Sequence, residues 1–403
     1  MNDNLTGEQK RKREQEMLQQ DLREKMENDE LPTANIMVAG ITGTGKSTLI
    51  NAVFKSEMAA TGSGRPVTEH LQRYENEGAH VRIWDTVGLE LDSQKTQESL
   101  RDIRQEIAVK AELEDKYDRI HAIWYCINSG SNRYQGAELE FIKQLHSLGI
   151  PFIIVLTQCS GDEDEIKKFE KEIREINLQM GMTDISIVQV LALPVKYRGM
   201  SEAVQPFGLE ELVKVTTDQL PAFIKSGFVA AQRISQEQKR IEGEKVIYTY
   251  VEQAACGRFS IPLVNVLFTD KTIKKMIQEL GELYNTVLSE EHVERIIKGT
   301  NVDFANNFNG LINPIYKEYN EKIVKLLNKK KNEGMSVEVL KDYDEKNRAA
   351  KMIAFYGYVF MESVEELWKR FSDEQLKDVD ETIRKLVDIV NSKLRDNVRR
   401  MRR

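Results

Sequence analysis

Apolar residues in the first half of the chain come in short continuous runs, whereas in the second half they recur every three or four positions. Ile36 to Ala39, Val81-Arg82-Ile83-Trp84, Ile120-His121-Ala122-Ile123-Trp124-Tyr125, Pro151 to Leu156 and Ile185 to Leu191 are all of strand length. Together with a run near 70–75 they predict strands near 35–40, 70–75, 80–85, 120–127, 150–156 and 185–191. The stretches between them carry helical spacing near 46–55, 94–115, 136–148, 163–180 and 208–219. Unbroken apolar runs mean strands covered on both faces, so the fold class is α/β, a doubly wound and mostly parallel sheet.

After Pro221 the alternation stops. Ile273, Met276/Ile277, Leu280, Tyr284 and Val287/Leu288 repeat at three and four, and so do Ile353, Tyr356, Val359/Phe360, Val364, Leu367/Trp368 and Phe371. Val379, Ile383, Leu386/Val387, Val390, Leu394 and Val398 extend the pattern into a long last helix. These stripes suit core or partner-facing seams of an all-α domain. Residues 1–31 are polar with sparse apolar sites and read as an exposed helix. The expected organisation is therefore 1–31, an α/β domain over 32–224, and a helical domain over 225–403.

The chemistry concentrates where the first strand ends. Gly40-Ile41-Thr42-Gly43-Thr44-Gly45-Lys46-Ser47 spells GxxxxGK[ST] between an apolar strand and a predicted helix, the context a phosphate-binding loop requires. Its glycines let the backbone turn its amides inward, and the following helix adds its N-terminus. Phosphate binding is thus expected from Gly40, Thr42, Gly43, Thr44, Gly45, Lys46, Ser47 and Thr48, with Lys46 on the β- and γ-phosphates and the Ser47 hydroxyl on Mg2+. The strand over 81–84 runs into Asp85-Thr86-Val87-Gly88, a DxxG sequence. In GTPases such an Asp stands behind the magnesium water shell and the Gly amide senses the γ-phosphate. Thr86 occupies the place where an ATPase of the Walker-B kind carries Glu. Between the two motifs, Gly64-Arg65-Pro66-Val67-Thr68-Glu69 reads as a mobile loop. Thr68 is its candidate switch threonine, with Thr61 and Ser63 as nearby alternatives.

The set GITGTGKSTLIN, GRPVTEH, WDTVG and IHAIWYCINSGSNR resembles the septin-, Era- and TrmE-related GTPases, in particular the bacterial ribosome-binding-GTPase-like group and its immunity-associated and chloroplast-import relatives. The likeness covers about residues 33–224 and makes 32–224 a GTPase (G) domain. It implies a guanine-nucleotide switch with GTP and Mg2+ as ligands, Ser47, Thr68 and Asp85 as the metal set, and Lys46, Thr68 and Gly88 as the groups acting on the γ-phosphate. Residues 254–264 resemble, more distantly, a helical domain of unknown function fused to bacterial GTPases.

Departures from the pattern are as specific as the matches. The family's base-reading box is [NT]KxD, and here Thr157-Gln158-Cys159-Ser160 follows the fifth run. Thr157 matches, Gln158 keeps an amide on a methylene stem, and Ser160 replaces the carboxylate that grips two N–H groups. Asp162 and Asp164 lie just beyond, and Ala192 is placed to offer its backbone N–H to a guanine carbonyl. Leu89 stands where Ras-like proteins carry the glutamine that positions water. Gly43 occupies the position of the asparagine through which TrmE-like enzymes recruit potassium. Slow hydrolysis follows, and the resemblance to septin-like and immunity-associated relatives, which carry Gly there and pair across their nucleotide faces, implies completion by a homodimer across the nucleotide face or by an activating protein; Arg133 is a loop arginine that is a candidate for that role in cis or in trans, with a solvated loop charge as the plainer reading. Two other readings remain open: a non-hydrolysing nucleotide-sensing module, and a dynamin-like membrane-remodelling GTPase.

Composition narrows the setting. A chain of 403 residues is long for one core, and a net charge of −7 argues against a globally nucleic-acid-binding surface. The basic end, Lys393 to Arg403, suits an RNA or ribosome contact or an anionic membrane surface, and equally a helix C-terminus. Cys126, Cys159 and Cys256 lack metal or disulfide spacing, which fits a reducing cytoplasmic location. No apolar run reaches transmembrane length. His121, without a second His or Cys nearby, is expected to be structural.

Overall fold

The structure is a computed structural model and describes residues 31–54, 65–66, 71–75, 80–86, 101, 104–105, 107–131, 134, 136–199, 201–255, 264–286, 288–299, 348–376 and 378–401. The chain divides into two compact units, Met1–Ser235 and Gln236–Arg403.

In the first unit the apolar runs become β1 (Ala34–Ala39), β4 (Val81–Thr86), β5 (Ala122–Asn128), β6 (Phe152–Thr157) and β7 (Ser186–Gln189), joined by the short β2 (Arg65–Pro66) and by β3 (Leu71–Glu75). They form one seven-stranded sheet in the order β2-β3-β4-β1-β5-β6-β7. Pairing is parallel from β4 through β7, and antiparallel between β3 and β4 and between β2 and β3. Arg65 and Pro66, expected inside a mobile loop, pair instead with Arg73 and Gln72. This corrects the loop assignment at those two residues: the sheet offers an edge, and an edge is where proline is tolerated.

Helices α1 (Lys46–Val53), α2 (Ala137–His146), α3 (Glu163–Gln179), α4 (Leu209–Gln219) and α5 (Ala222–Ala231) belong to this unit. Phe54, at the end of α1, stacks on Trp124 of β5 with ring centroids 5.9 Å apart, and Phe228 of α5 meets both rings edge-on. Tyr125, the next residue of β5, points to the opposite face and packs on Phe141 of α2 and Phe152. Successive residues of one strand thus serve two cores, which is why the run 120–127 shows no polar alternation. At Gly227 of α5 a Cβ would lie 1.6 Å from the Pro32 carbonyl oxygen, so the helix rests backbone to backbone on the start of the sheet. His121 is structural: its Nδ1 accepts from the Asn35 amide at 2.9 Å while Nε2 faces the Lys116 carbonyl at 2.9 Å. That pairing assigns the proton to Nε2, and burial holds the ring below its ordinary pKa.

The second unit contains α6 (Gln236–Ala255), α7 (Val264–Leu283), α8 (Glu290–Gly299), α9 (Arg348–Arg370) and α10 (Val379–Met401). Most described members of the periodic stripes are core: Met276, Leu280, Tyr284, Ile353, Val364, Leu367, Ile383 and Leu386 are buried, whereas Tyr356, Trp368 and Phe371 are half-buried and Val379 is exposed. Close helix approach is visible at Gly357 of α9, where a Cβ would come 2.6 Å from Ile247 of α6. Inside this unit the Tyr284 hydroxyl donates to Glu365 at 2.9 Å, and Arg240 donates to the other oxygen at 2.8 Å. No helix among the described residues is long and apolar enough to cross a membrane.

Candidate functional site

The central strand β1 has β4 on one side and β5 on the other, so the chain leaves its carboxyl end at a point where connections diverge to opposite faces. Open parallel sheets bind ligands in the crevice at such a point, and the loop 40–45 sits there. Its conformation demands glycine. Gly40 has φ +142° and its Cβ would lie 2.4 Å from the Cys126 carbonyl oxygen, while Gly43 and Gly45 have φ +83° and +87°. Gly45 then starts α1 with no side-chain cap and no acidic residue in the first turn. The helix presents unsatisfied amides and the positive end of its dipole to that crevice.

The predicted phosphate-loop residues come together around this turn. Thr44 is buried, and its hydroxyl donates to the Ile41 carbonyl at 2.8 Å. Lys46 donates its ammonium to the carbonyls of Gly40 at 2.8 Å and Ile41 at 3.2 Å. Thr42, Ser47 and Thr48 are exposed, the latter two on the first turn of α1. Asp85, near the end of β4, is paired in register with Val38 of β1. It is only 6 % exposed, and its Oδ1 has no hydrogen-bond partner among the described residues. Burial pushes its carboxyl up to about 6, against the opposing pull of the Lys46 charge and of the Thr86 amide. A buried carboxylate oxygen that feels the Lys46 charge yet has no partner among the described residues fits a site whose cation comes with the ligand. The neighbouring Cys126 thiol is pushed up to about 12 by burial and is a core group rather than a nucleophile.

The base-box residues reach the same loop. Thr157 Oγ1 lies 2.5 Å from the Thr44 carbonyl, and the Gln158 amide nitrogen donates to the Gly43 carbonyl at 3.0 Å. Gln158 adopts φ 56°, and the Ser129 hydroxyl donates to its carbonyl at 3.1 Å. Cys159 donates its amide to the Val190 carbonyl at 3.2 Å, which ties this loop to the segment carrying Ala192, a half-buried residue just after the Leu191–Phe207 bridge. Asp162 does not turn toward the loop: it caps α3 by accepting from the Asp164 and Glu165 amides. Tyr197 was not anticipated from the sequence. Its hydroxyl lies 2.8 Å from both the carbonyl and the side-chain oxygen of Ser160, and no motif in the region marks it. Thr68, Gly88, Leu89, Thr61, Ser63 and Arg133 lie outside the described residues.

Comparison with known proteins agrees with this geometry. Residues 35–158 match the family model described as 50S ribosome-binding GTPase. Cell division control protein 10 of Candida albicans is 26% identical over 161 residues, 34% of this chain and 45% of that protein. The match therefore spans less than half the length of this curated relative. Among solved structures, a probable GTP-binding protein engB is similar at 20% identity, with 46% of this chain and 97% of that chain covered and a TM-score of 0.31. Era of Aquifex aeolicus bound to GDP and AlF4- is similar at 17% identity, with 56% and 68% covered and a TM-score of 0.31. Residues 35–158 of this chain are thus similar to a 50S ribosome-binding GTPase domain, with a septin among the relatives they resemble.

Proposed function

We propose that the chain is a GTP-binding switch that hydrolyses GTP slowly by itself and faster when a second copy or an activating protein completes its site. The observation that carries the reading is the buried Oδ1 of Asp85, without a partner among the described residues and under the influence of the Lys46 charge, together with the open N-terminus of α1. Lys46 and the amides of 43–48 hold the phosphates, while the Ser47 hydroxyl, Asp85 and Thr68 hold Mg2+. Mg2+ held by these residues would supply neutralisation of the phosphate charge. Gly88 and Thr68 sense the γ-phosphate, and Thr157, Gln158 and Ala192 border the base.

Hydrolysis consumes a water whose oxygen joins the γ-phosphorus as the bridge to the β-phosphate breaks, leaving GDP and phosphate. Leu89 offers no hydrogen bond to orient that water, and Gly43 offers no side chain toward a monovalent cation. The missing group then comes from another molecule. Cys126 and Cys159 are free and buried, which supports a reducing, cytoplasmic setting. Leu89 also favours one rival, a nucleotide sensor without turnover.

Titration of the full chain with labelled GTP and ATP, with and without Mg2+, tests the reading. Mg2+-dependent binding with GTP tighter than ATP is expected. Absence of nucleotide binding, or binding indifferent to Mg2+, overturns it.

A further inference from the structure

Ser160 stands where the base-reading carboxylate is expected, on a loop fastened to the phosphate loop through Thr157 and Gln158. A free serine hydroxyl is a poor substitute, because it rotates and offers a donor as readily as an acceptor. Here it is not free. The Tyr197 hydroxyl is 2.8 Å from the Ser160 carbonyl and 2.8 Å from its Oγ. A carbonyl can only accept, so the arrangement that satisfies both contacts sends the one tyrosine proton to the Ser160 carbonyl oxygen. The second contact is then satisfied only if Ser160 Oγ–H donates to the tyrosine oxygen. This reciprocal pair spends the serine proton and leaves Oγ with lone pairs alone, so it behaves as a single, neutral acceptor.

Tyr197 is held for the task by its segment. Leu191 pairs with Phe207 and Val195 with Val204 across a narrow loop, and the Cys159 amide anchors the Ser160 loop to Val190. Tyr197 nevertheless remains 41 % exposed, so its ring is no part of the core.

We infer that Tyr197 is a specificity-determining positioning residue, which fixes the Ser160 hydroxyl as an acceptor so that Oγ reads an N–H on the purine edge in place of a carboxylate. The inference rests on the guanine-nucleotide reading above. One neutral acceptor needs one N–H, which guanine and hypoxanthine both present at N1 and adenine does not. The site therefore selects 6-oxopurine nucleotides as a class, with little weight on the 2-amino group.

The test measures Mg2+-dependent affinities for GTP, ITP and ATP in the wild-type chain, Tyr197→Phe and Ser160→Asp. In the wild type, ITP is expected within about threefold of GTP and ATP weaker by about tenfold, the scale of one hydrogen bond. Tyr197→Phe frees the serine rotor and should lower the GTP to ATP ratio by about threefold to tenfold, leaving ATP affinity unchanged. Ser160→Asp should open a gap between GTP and ITP. An unchanged GTP to ATP ratio in Tyr197→Phe, confirmed as folded by its melting curve, overturns the inference while leaving the GTP reading intact. A wild-type preference for GTP over ITP of more than about tenfold also overturns it. A chain that binds none of the three nucleotides sinks both.

Discussion

Thr157, the last residue of β6, places its hydroxyl 2.5 Å from the carbonyl oxygen of Thr44 in the phosphate loop. The Ile127 carbonyl lies 3.1 Å away, but the hydroxyl has one proton and the shorter contact takes it. Thr44, Ile127 and Thr157 are all buried, so little water competes for this hydrogen bond.

Thr157→Val should therefore leave the Thr44 carbonyl short of a donor in a dry site, at a cost of about 1 to 3 kcal/mol. Nucleotide affinity should fall with it, because the loop loses its fixed point. Urea unfolding and calorimetric titration read the two effects; a variant as stable as the wild type would show that this hydrogen bond contributes nothing.

Lys46→Ala removes the charge expected to face two phosphates. Affinity for GTP should drop about a hundredfold, equivalent to about 2 to 3 kcal/mol for a charge-assisted contact. The fold should persist, since α1 is anchored by buried Leu49, Ile50 and Val53. Calorimetry that returns near-normal affinity rules out phosphate binding by this loop.

Turnover per molecule should rise with protein concentration or on adding a partner protein, and exchanging sodium for potassium should change little. A group supplied in trans contributes about 10³ to 10⁵ in rate in related chemistry, so the dependence should be steep. Equal specific activity at high dilution and high concentration, or strong activation by potassium alone, excludes completion from a second molecule.

Glu138, on the first turn of α2, is buried and accepts from the Tyr125 hydroxyl at 3.2 Å. Burial raises its carboxyl to about 7, with the Tyr125 hydrogen bond pulling the other way. Its folded pKa lies above the ordinary carboxylate value, so the native state binds the proton more tightly than the unfolded chain. Stability from this group is complete at low pH and is lost as pH rises from about 4.5 through 7. Glu138→Gln keeps an acceptor for Tyr125 and should stabilise the protein by up to about 3 kcal/mol above pH 7, with little gain near pH 4.5. Melting curves across that range check it; an equal gain at both ends removes titration as the cause.

Local features of the sequence carried the fold a long way. The phosphate loop is a contiguous string with glycine at the three positions, 40, 43 and 45, whose backbone angles favour it, so its pattern is visible without tertiary information. The two-sided sheet was visible for a similar reason, because Trp124 and Tyr125 are adjacent in sequence and both apolar. What escaped notice depends on partners far apart in the chain. Arg65 and Pro66 form an edge strand only because β3 supplies a ladder. Tyr197 acquires its role from Ser160, 37 positions earlier, within a polar loop whose residues have no period. Asp162, offered by its position as a substitute base reader, is instead held as a helix cap by the Asp164 and Glu165 amides, a contact set by where the helix starts.

Lys46 turns its ammonium inward onto the Gly40 and Ile41 carbonyls, and that has a consequence for how tightly any phosphate can be held. The lysine is already satisfied by the loop it belongs to, so an incoming phosphate competes with two backbone oxygens for the same three protons. The measured affinity is then a difference between two sets of acceptors rather than the full strength of one. The same exchange makes the loop its own template: the side chain proposed to meet the phosphates also braces the turn that would receive them.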